Sequence, residues 1–159
     1  MHTPVTRALD AQHIPYRVFQ HPGPVASLEQ AARERGQLPE QVIRSIVFRL
    51  AQDEYVMVLM AGATQVNWGA LRKYLGVSRI TMANAGELHA ATGYEIGAVS
   101  PFGLPKPMRV IADPSVFIPD EISIGSGVRG ITVIMSSAQL KRALGNTEIV
   151  ALGDLRQAQ

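Results

Sequence analysis

The sequence predicts an α/β domain of the α+β kind, with a mixed, mostly antiparallel sheet surrounded by helices. Three observations predict it. Strand-like and helix-like segments are intermixed without strict βαβ alternation. Two pairs of strand-like segments, within 43–60 and 122–135, are close enough in sequence to be hairpins. Several helix-like segments carry recognisable start and stop residues. A chain of 159 residues suits one domain over 1–159 with one sizeable core, ordered from about 3 to 153.

In chain order, Thr6–Gln12 reads as a short helix with Val5, Ala8 and Leu9 on one face, ended by Pro15. Tyr16–Gln20 alternates as a strand, and His21-Pro22-Gly23-Pro24 is a rigid connection. Ser27 stands three residues before Gln30, a capping-box spacing that opens a helix through Arg35, closed by Gly36. Ile43–Leu50 reads as a strand with Arg44, Ile46, Phe48 and Leu50 on one face and Ile43, Ser45, Val47 and Arg49 on the other. Tyr55–Met60 is nearly all apolar, as expected of a strand covered on both faces. Asn67 caps a helix over Trp68–Leu75 with Gly76 as its stop. Arg79–Met82 reads as a short strand, and Asn84 with Glu87 opens a helix to Ala91. Strands follow at Met108–Ala112, Ile122–Ile124 and Ile131–Met135. Ser136 or Ser137 caps a helix to Leu144, Ile149–Leu152 is a last strand, and residues 154–159 read as frayed.

Composition narrows the function classes. The chain is 47% hydrophobic and 18% charged, as expected of a globular protein, and its net charge of +2 does not by itself argue for nucleic acid. The absence of cysteine excludes disulfides, thiolate metal sites and a cysteine nucleophile. The N-terminus lacks a signal pattern, and the longest apolar run, Tyr55–Gly62, is too short for a bilayer. A cytoplasmic protein without membrane association is the expectation. The four histidines lack metal-ligand spacing, so no metal and no cofactor are expected.

Familiar catalytic constellations are missing. Ser100 lies in GAVSP, not in a GxSxG elbow, and reads as a loop-ordering hydroxyl. Asp113-Pro114 and Asp120-Glu121 read as turns. Gly125-Ser126-Gly127-Val128-Arg129-Gly130 has GxGxxG spacing, but it lies between two strands rather than between a strand and a helix. It reads as a hairpin connection able to line a pocket. His21, at the end of a strand in a rigid turn, reads first as a hydrogen-bonding partner of that turn.

Two features remain. Thr92–Gly103, TGYEIGAVSPFG, loses its side chain at Gly93, Gly97 and Gly103 and is stiffened by Pro101. Such a loop is either a turn-rich connection or a surface that brings bare N–H and C=O groups to a ligand. Arg44 begins an apolar strand face. It either reaches water from a sheet edge or contacts an anion, most simply phosphate.

The segments HPGPVASLEQAA, LPEQVIRSIVF, ITMANAGELHAATGYEIGAVSPFG, RVIADPS and ISIGSGVRGITV, taken in this order, resemble the YbaK family of aminoacyl-tRNA deacylases. These are freestanding relatives of the editing domain of bacterial prolyl-tRNA synthetases. The resemblance runs from about Thr6 to Leu152. It implies hydrolysis of the ester joining a small mischarged amino acid to a tRNA 3′ end, with tRNA-Pro the expected carrier. It places the family's G-x-x-x-P loop on Gly97, Ala98, Val99, Ser100 and Pro101, whose backbone positions the ester and the terminal adenosine. It places the family's strand lysine on Arg44, beside the 3′-end phosphate or ribose, and its hydroxyl neighbour on Ser45. His21, Gly125, Ser126 and Thr132 complete the implied substrate surface.

An aminoacyl ester is already activated, so the implied mechanism needs no protein nucleophile. Water attacks, oriented by backbone groups and by the free ribose hydroxyl. Three departures from the family pattern bear on specificity and activity. Arg44 replaces lysine, Ala98 replaces a second glycine, and Thr132 stands where some members have Asp. The first two motivate an alternative, a non-catalytic module binding a tRNA 3′ end or a nucleotide. The expected partners are the aminoacyl-tRNA 3′ end and a prolyl-tRNA synthetase; oligomeric state is not legible.

Overall fold

The computed structural model describes residues 2–154. The expected frayed end lies outside them beyond Asp154. The elements are α1 (Pro4–Ala11), β1 (Arg17–Gln20), α2 (Leu28–Glu34), β2 (Ile43–Ala51), β3 (Glu54–Ala61), α3 (Trp68–Leu75), β4 (Thr81–Met82), α4 (Ala85–Thr92), β5 (Arg109–Ala112), β6 (Glu121–Gly125), β7 (Ile131–Ser136), α5 (Ser137–Leu144) and β8 (Glu148–Ile149).

The strands form two sheets where the sequence suggested one. β1, β7 and β6 make an antiparallel three-stranded sheet, and β4, β2, β3, β5 and β8 make a mixed five-stranded one. Both expected hairpins are present, β2 with β3 and β6 with β7. β5 joins β3, and β8 joins β5, in parallel. A single parallel bridge, Val42 to Ser123, links the two sheets. β4 pairs with β2 only at Phe48 and Arg49, so among the described residues no strand covers the edge of β2 over residues 43–46, and a gap opens between it and β6.

Two apolar clusters hold this arrangement. Ile43, Val47, Met57 and Leu59 from one face of the large sheet meet Ile122, Ile124, Val133 and Met135 from the small sheet, with Val5, Leu9, Leu88 and Leu140 from the helices. Phe48, Val56, Val58 and Met60 from the opposite face pack under Leu71 of α3, with Ile80, Ile111 and Leu152. Strand β3 is therefore covered on both sides, as its unbroken apolar run requires.

The helix ends follow side-chain chemistry. The Ser27, Asn67, Asn84 and Ser136 side chains accept the backbone N–H three residues on. The structure starts α1 earlier than predicted, at Pro4, because Thr3 caps it and proline suits the first helical position. The predicted last strand is shorter, Glu148–Ile149. Beyond it, the Asp113 carboxylate holds the chain by accepting the N–H groups of Leu152 and Gly153.

Candidate functional site

The divergence of the sheets opens a cleft of about 1100 Å³. Its floor is the edge of β2. One wall is β6 and the 128–132 segment; the rest comes from the 20–28 segment, α2, Met82, Ala83, Leu88 and, from the glycine loop, Ile96, Gly97 and Val99. Arg35, Arg44 and Arg129 line it, and no carboxylate does among the described residues. Such a wall attracts anions, because positive charge gathered in a concave, low-dielectric surface focuses the field.

Of the residues expected at the site, Arg44, Ser45, His21, Gly97, Val99, Gly125 and Thr132 come together here. Ala98, Ser100, Pro101 and Ser126 do not line the cleft. Ala98 and Ser126 are fully buried. The Ser100 hydroxyl accepts the Phe102 N–H at 3.2 Å, which is the loop-ordering role predicted for it. The Ser126 hydroxyl closes the hairpin on Val128.

The 97–101 loop is docked backbone-on-backbone. Ala98 N–H donates to Glu95 O at 3.0 Å, and Ala98 O accepts from Gly127 N–H at 2.9 Å. Tyr94 Oη donates to Phe102 O at 2.5 Å, and desolvation pushes this phenol up to about 12. Gly97 has φ of 90°, a conformation open to glycine and costly for other residues.

Arg44 is half-buried, and desolvation pulls its guanidinium below the usual arginine range. Its Nε donates to Gly62 O at 2.7 Å and its Nη2 donates to Thr64 O. The side chain thus ties β2 to the segment after β3. Ser45 Oγ, on the other face of β2, is buried without a partner, as is Ser123 Oγ on β6.

His21 departs from its predicted turn-bonding role. Its ring reaches across to the end of α2, with Nδ1 2.6 Å from Glu34 Oε1 and Nε2 3.1 Å from Arg35 Nη1. Arginine can only donate, so Nε2 accepts and the Nδ1–H donates to Glu34. That bond, with one from Gln30, holds the Glu34 carboxyl below its ordinary range. Arg35 Nη1 also donates to Thr132 Oγ1 at 2.8 Å. With both ring nitrogens engaged, His21 is not placed to deprotonate a water.

Sequence reasoning missed Arg35, Arg129 and Ser123. Arg35 reads as a cation in the last turn of a helix, a common ornament of helix ends. Only the folded chain, which brings it against Thr132 of β7, makes it part of the cleft. Among the described residues no group of histidines and carboxylates is arranged to hold a metal ion.

A family model described as the aminoacyl-tRNA editing domain matches residues 22–143. The "Multifunctional Ser/Thr-tRNA deacylase ProXp-y" of Escherichia coli (strain K12) is 26% identical over 145 residues, covering 89% of this chain and 86% of its own. The proline–tRNA ligase of Lactococcus lactis subsp. lactis (strain IL1403) is 35% identical over 91 residues, 57% of this chain but 14% of the ligase. Among solved structures, a candidate trans-editing enzyme for prolyl-tRNA synthetase superimposes with a TM-score of 0.84 at 22% identity, covering 95% of both chains. The hypothetical protein APE2540 does so with a TM-score of 0.85 at 18% identity, covering 95% of this chain and 99% of its own.

Proposed function

The chain belongs to the aminoacyl-tRNA editing domain family and is an aminoacyl-tRNA deacylase; we propose that it acts in trans, removing a small non-cognate amino acid from tRNA of the proline system by substrate-assisted water attack. One observation carries the reading: a cleft lined, among the described residues, by three arginines and no carboxylate, and bordered by a glycine loop docked through its backbone. The phosphates of a tRNA 3′ end suit such a wall. The deacylase named for Ser/Thr-tRNA supports a small hydroxylated amino acid, and the ligase relatives support the proline system.

The chemistry follows from what the cleft offers. Both backbone groups of Ala98 are engaged within the protein; Gly97 and Val99 line the cleft, and in this reading their N–H groups serve as the loop's donors to the ester carbonyl. Fixed amides aimed at a developing oxyanion need no reorganisation as charge builds up. The ribose hydroxyl next to the ester orients the attacking water. Ser45 and Ser123 offer unpartnered hydroxyls to substrate or water.

The test is release of free amino acid from tRNA-Pro and other tRNAs charged with Ala, Cys, Ser or Thr. Hydrolysis of at least one small aminoacyl ester on tRNA-Pro is expected. No release above buffer at high protein concentration would remove the catalytic reading. One observation favours the second reading, a 3′-end binding module: the Arg44 Nε and Nη2 donors are closed onto backbone carbonyls. Binding of a CCA-ended RNA without turnover would select it.

A further inference from the structure

Among the described residues three arginines line the cleft, and two of them differ in which donors are free. A guanidinium presents its best two-donor edge through Nε and Nη2, which lie side by side and match the spacing of two phosphate oxygens. In Arg44 that edge is closed, since Nε and Nη2 donate to the carbonyls of Gly62 and Thr64. In Arg35 both hydrogen bonds leave from the opposite corner, Nη1, to His21 Nε2 and Thr132 Oγ1. Its Nε is buried without a partner. A buried, unpartnered donor on a cation costs free energy unless something meets it.

We infer that Arg35 contacts the phosphodiester on the 5′ side of the terminal adenosine, with its Nη1 corner locked by His21 and Thr132 and its Nη2 left to meet the anion. The inference rests on the deacylase reading above. The acyl end of the substrate offers no competing anion: its carboxyl is esterified and its amine is a cation or neutral. The nearest negative group is the phosphodiester. His21 is held from behind by Glu34, which lies outside the cleft lining, so Glu34–His21–Thr132 form the bracket that aims Arg35. Arg44 then acts as a positioning residue for the 62–64 segment.

The test compares binding of 5′-AMP and adenosine, which differ only in the phosphate, alongside deacylation of a mischarged CCA-ended RNA. The wild-type protein is expected to bind 5′-AMP at least about tenfold more tightly than adenosine, and Arg35→Gln to reduce that preference below about threefold with adenosine affinity kept. On the RNA, Arg35→Gln should raise KM about 10- to 100-fold with kcat changed much less. If Arg35→Gln does not fold, Arg35→Lys is measured in its place; it keeps the charge and loses the fork, and a reduced preference is again expected. A wild-type protein with no preference for 5′-AMP, or a folded Arg35 variant that keeps the full preference, overturns the inference. Failure of the wild type to deacylate any RNA overturns the deacylase reading instead, and the nucleotide comparison stands apart from it.

Discussion

The carbonyl oxygen of Val99 lies against the α-carbon of Gly125, so close that a β-carbon on Gly125 would overlap it. The same β-carbon would stand 3.0 Å from the carbonyl carbon and oxygen of Ala98. The site loop is thus seated on β6 through backbone atoms that cannot retreat like a flexible side chain. Gly125→Ala is expected to push the loop off the strand. A loss of about 1–3 kcal/mol in stability is expected from overpacking, with deacylation falling at least about tenfold because displaced donors no longer meet the ester. Thermal melting and single-turnover hydrolysis check both. A variant with wild-type rate and melting point would show that the loop tolerates displacement.

Gly97→Val separates strain from crowding. No heavy atom lies within 4 Å of the β-carbon position at Gly97, so there is room for it, but φ of 90° disfavours every residue with a side chain. A cost on the order of 1–2 kcal/mol is expected, relieved by turning the peptide and misaiming the Gly97 and Val99 N–H groups. The protein should fold and lose most of its turnover. Unchanged turnover in folded protein would remove the loop from the mechanism.

Arg44→Ala deletes two hydrogen bonds from a charged donor to the carbonyls of Gly62 and Thr64. A stability loss of about 2–4 kcal/mol is expected if each contributes about 1–2 kcal/mol. Arg44→Lys should recover part of it, because an ammonium reaches one carbonyl more readily than two. Denaturant midpoints measure this directly. Equal stability of the alanine variant and the wild type would return Arg44 to a purely ligand-facing role.

Tyr94 predicts an alkaline limit. Burial raises its phenol from 10.0 to about 12. A group whose folded pKa is raised contributes fully below its unfolded value and loses that contribution as pH rises through the folded one. The contribution of Tyr94 should therefore be complete below pH 10 and disappear as pH climbs toward 12, as the phenolate can no longer donate to Phe102 O. Tyr94→Phe lacks the bond at every pH. The stability gap between the two proteins, about 1 kcal/mol in favour of the wild type at neutral pH, should close and then reverse over that interval, because a shift of about two pH units outweighs it. A gap that stays constant to pH 12 contradicts the assignment.

Much of the architecture was legible because local chemistry and global packing agree. Ser27, Asn67 and Asn84 cap the helices that their spacing predicted, and the unbroken apolar run of β3 announced a strand buried on both faces. The split into two sheets was not legible. Register along β2 is local, but the divergence of β2 from β6 beyond the Val42–Ser123 bridge depends on segments about eighty residues apart. For the same reason Ser45 was singled out and Ser123, its unpartnered counterpart on β6, was not.

By itself, the sequence determined the class of fold, the absence of cysteine chemistry, and the glycine loop and β2 arginine on which the family resemblance rests. Those are properties of residue type and spacing along the chain. Tertiary structure alone decided which donors remain available. Arg44 and Arg35 are the same residue type in similar half-buried surroundings, yet Gly62 and Thr64 close the fork of one, while His21 and Thr132 pin the other by its far corner. Hydrogen bonding is directional and saturable, so the role of a guanidinium depends on where its partners arrive. Those partners come from distant strands and loops that only the folded chain brings together.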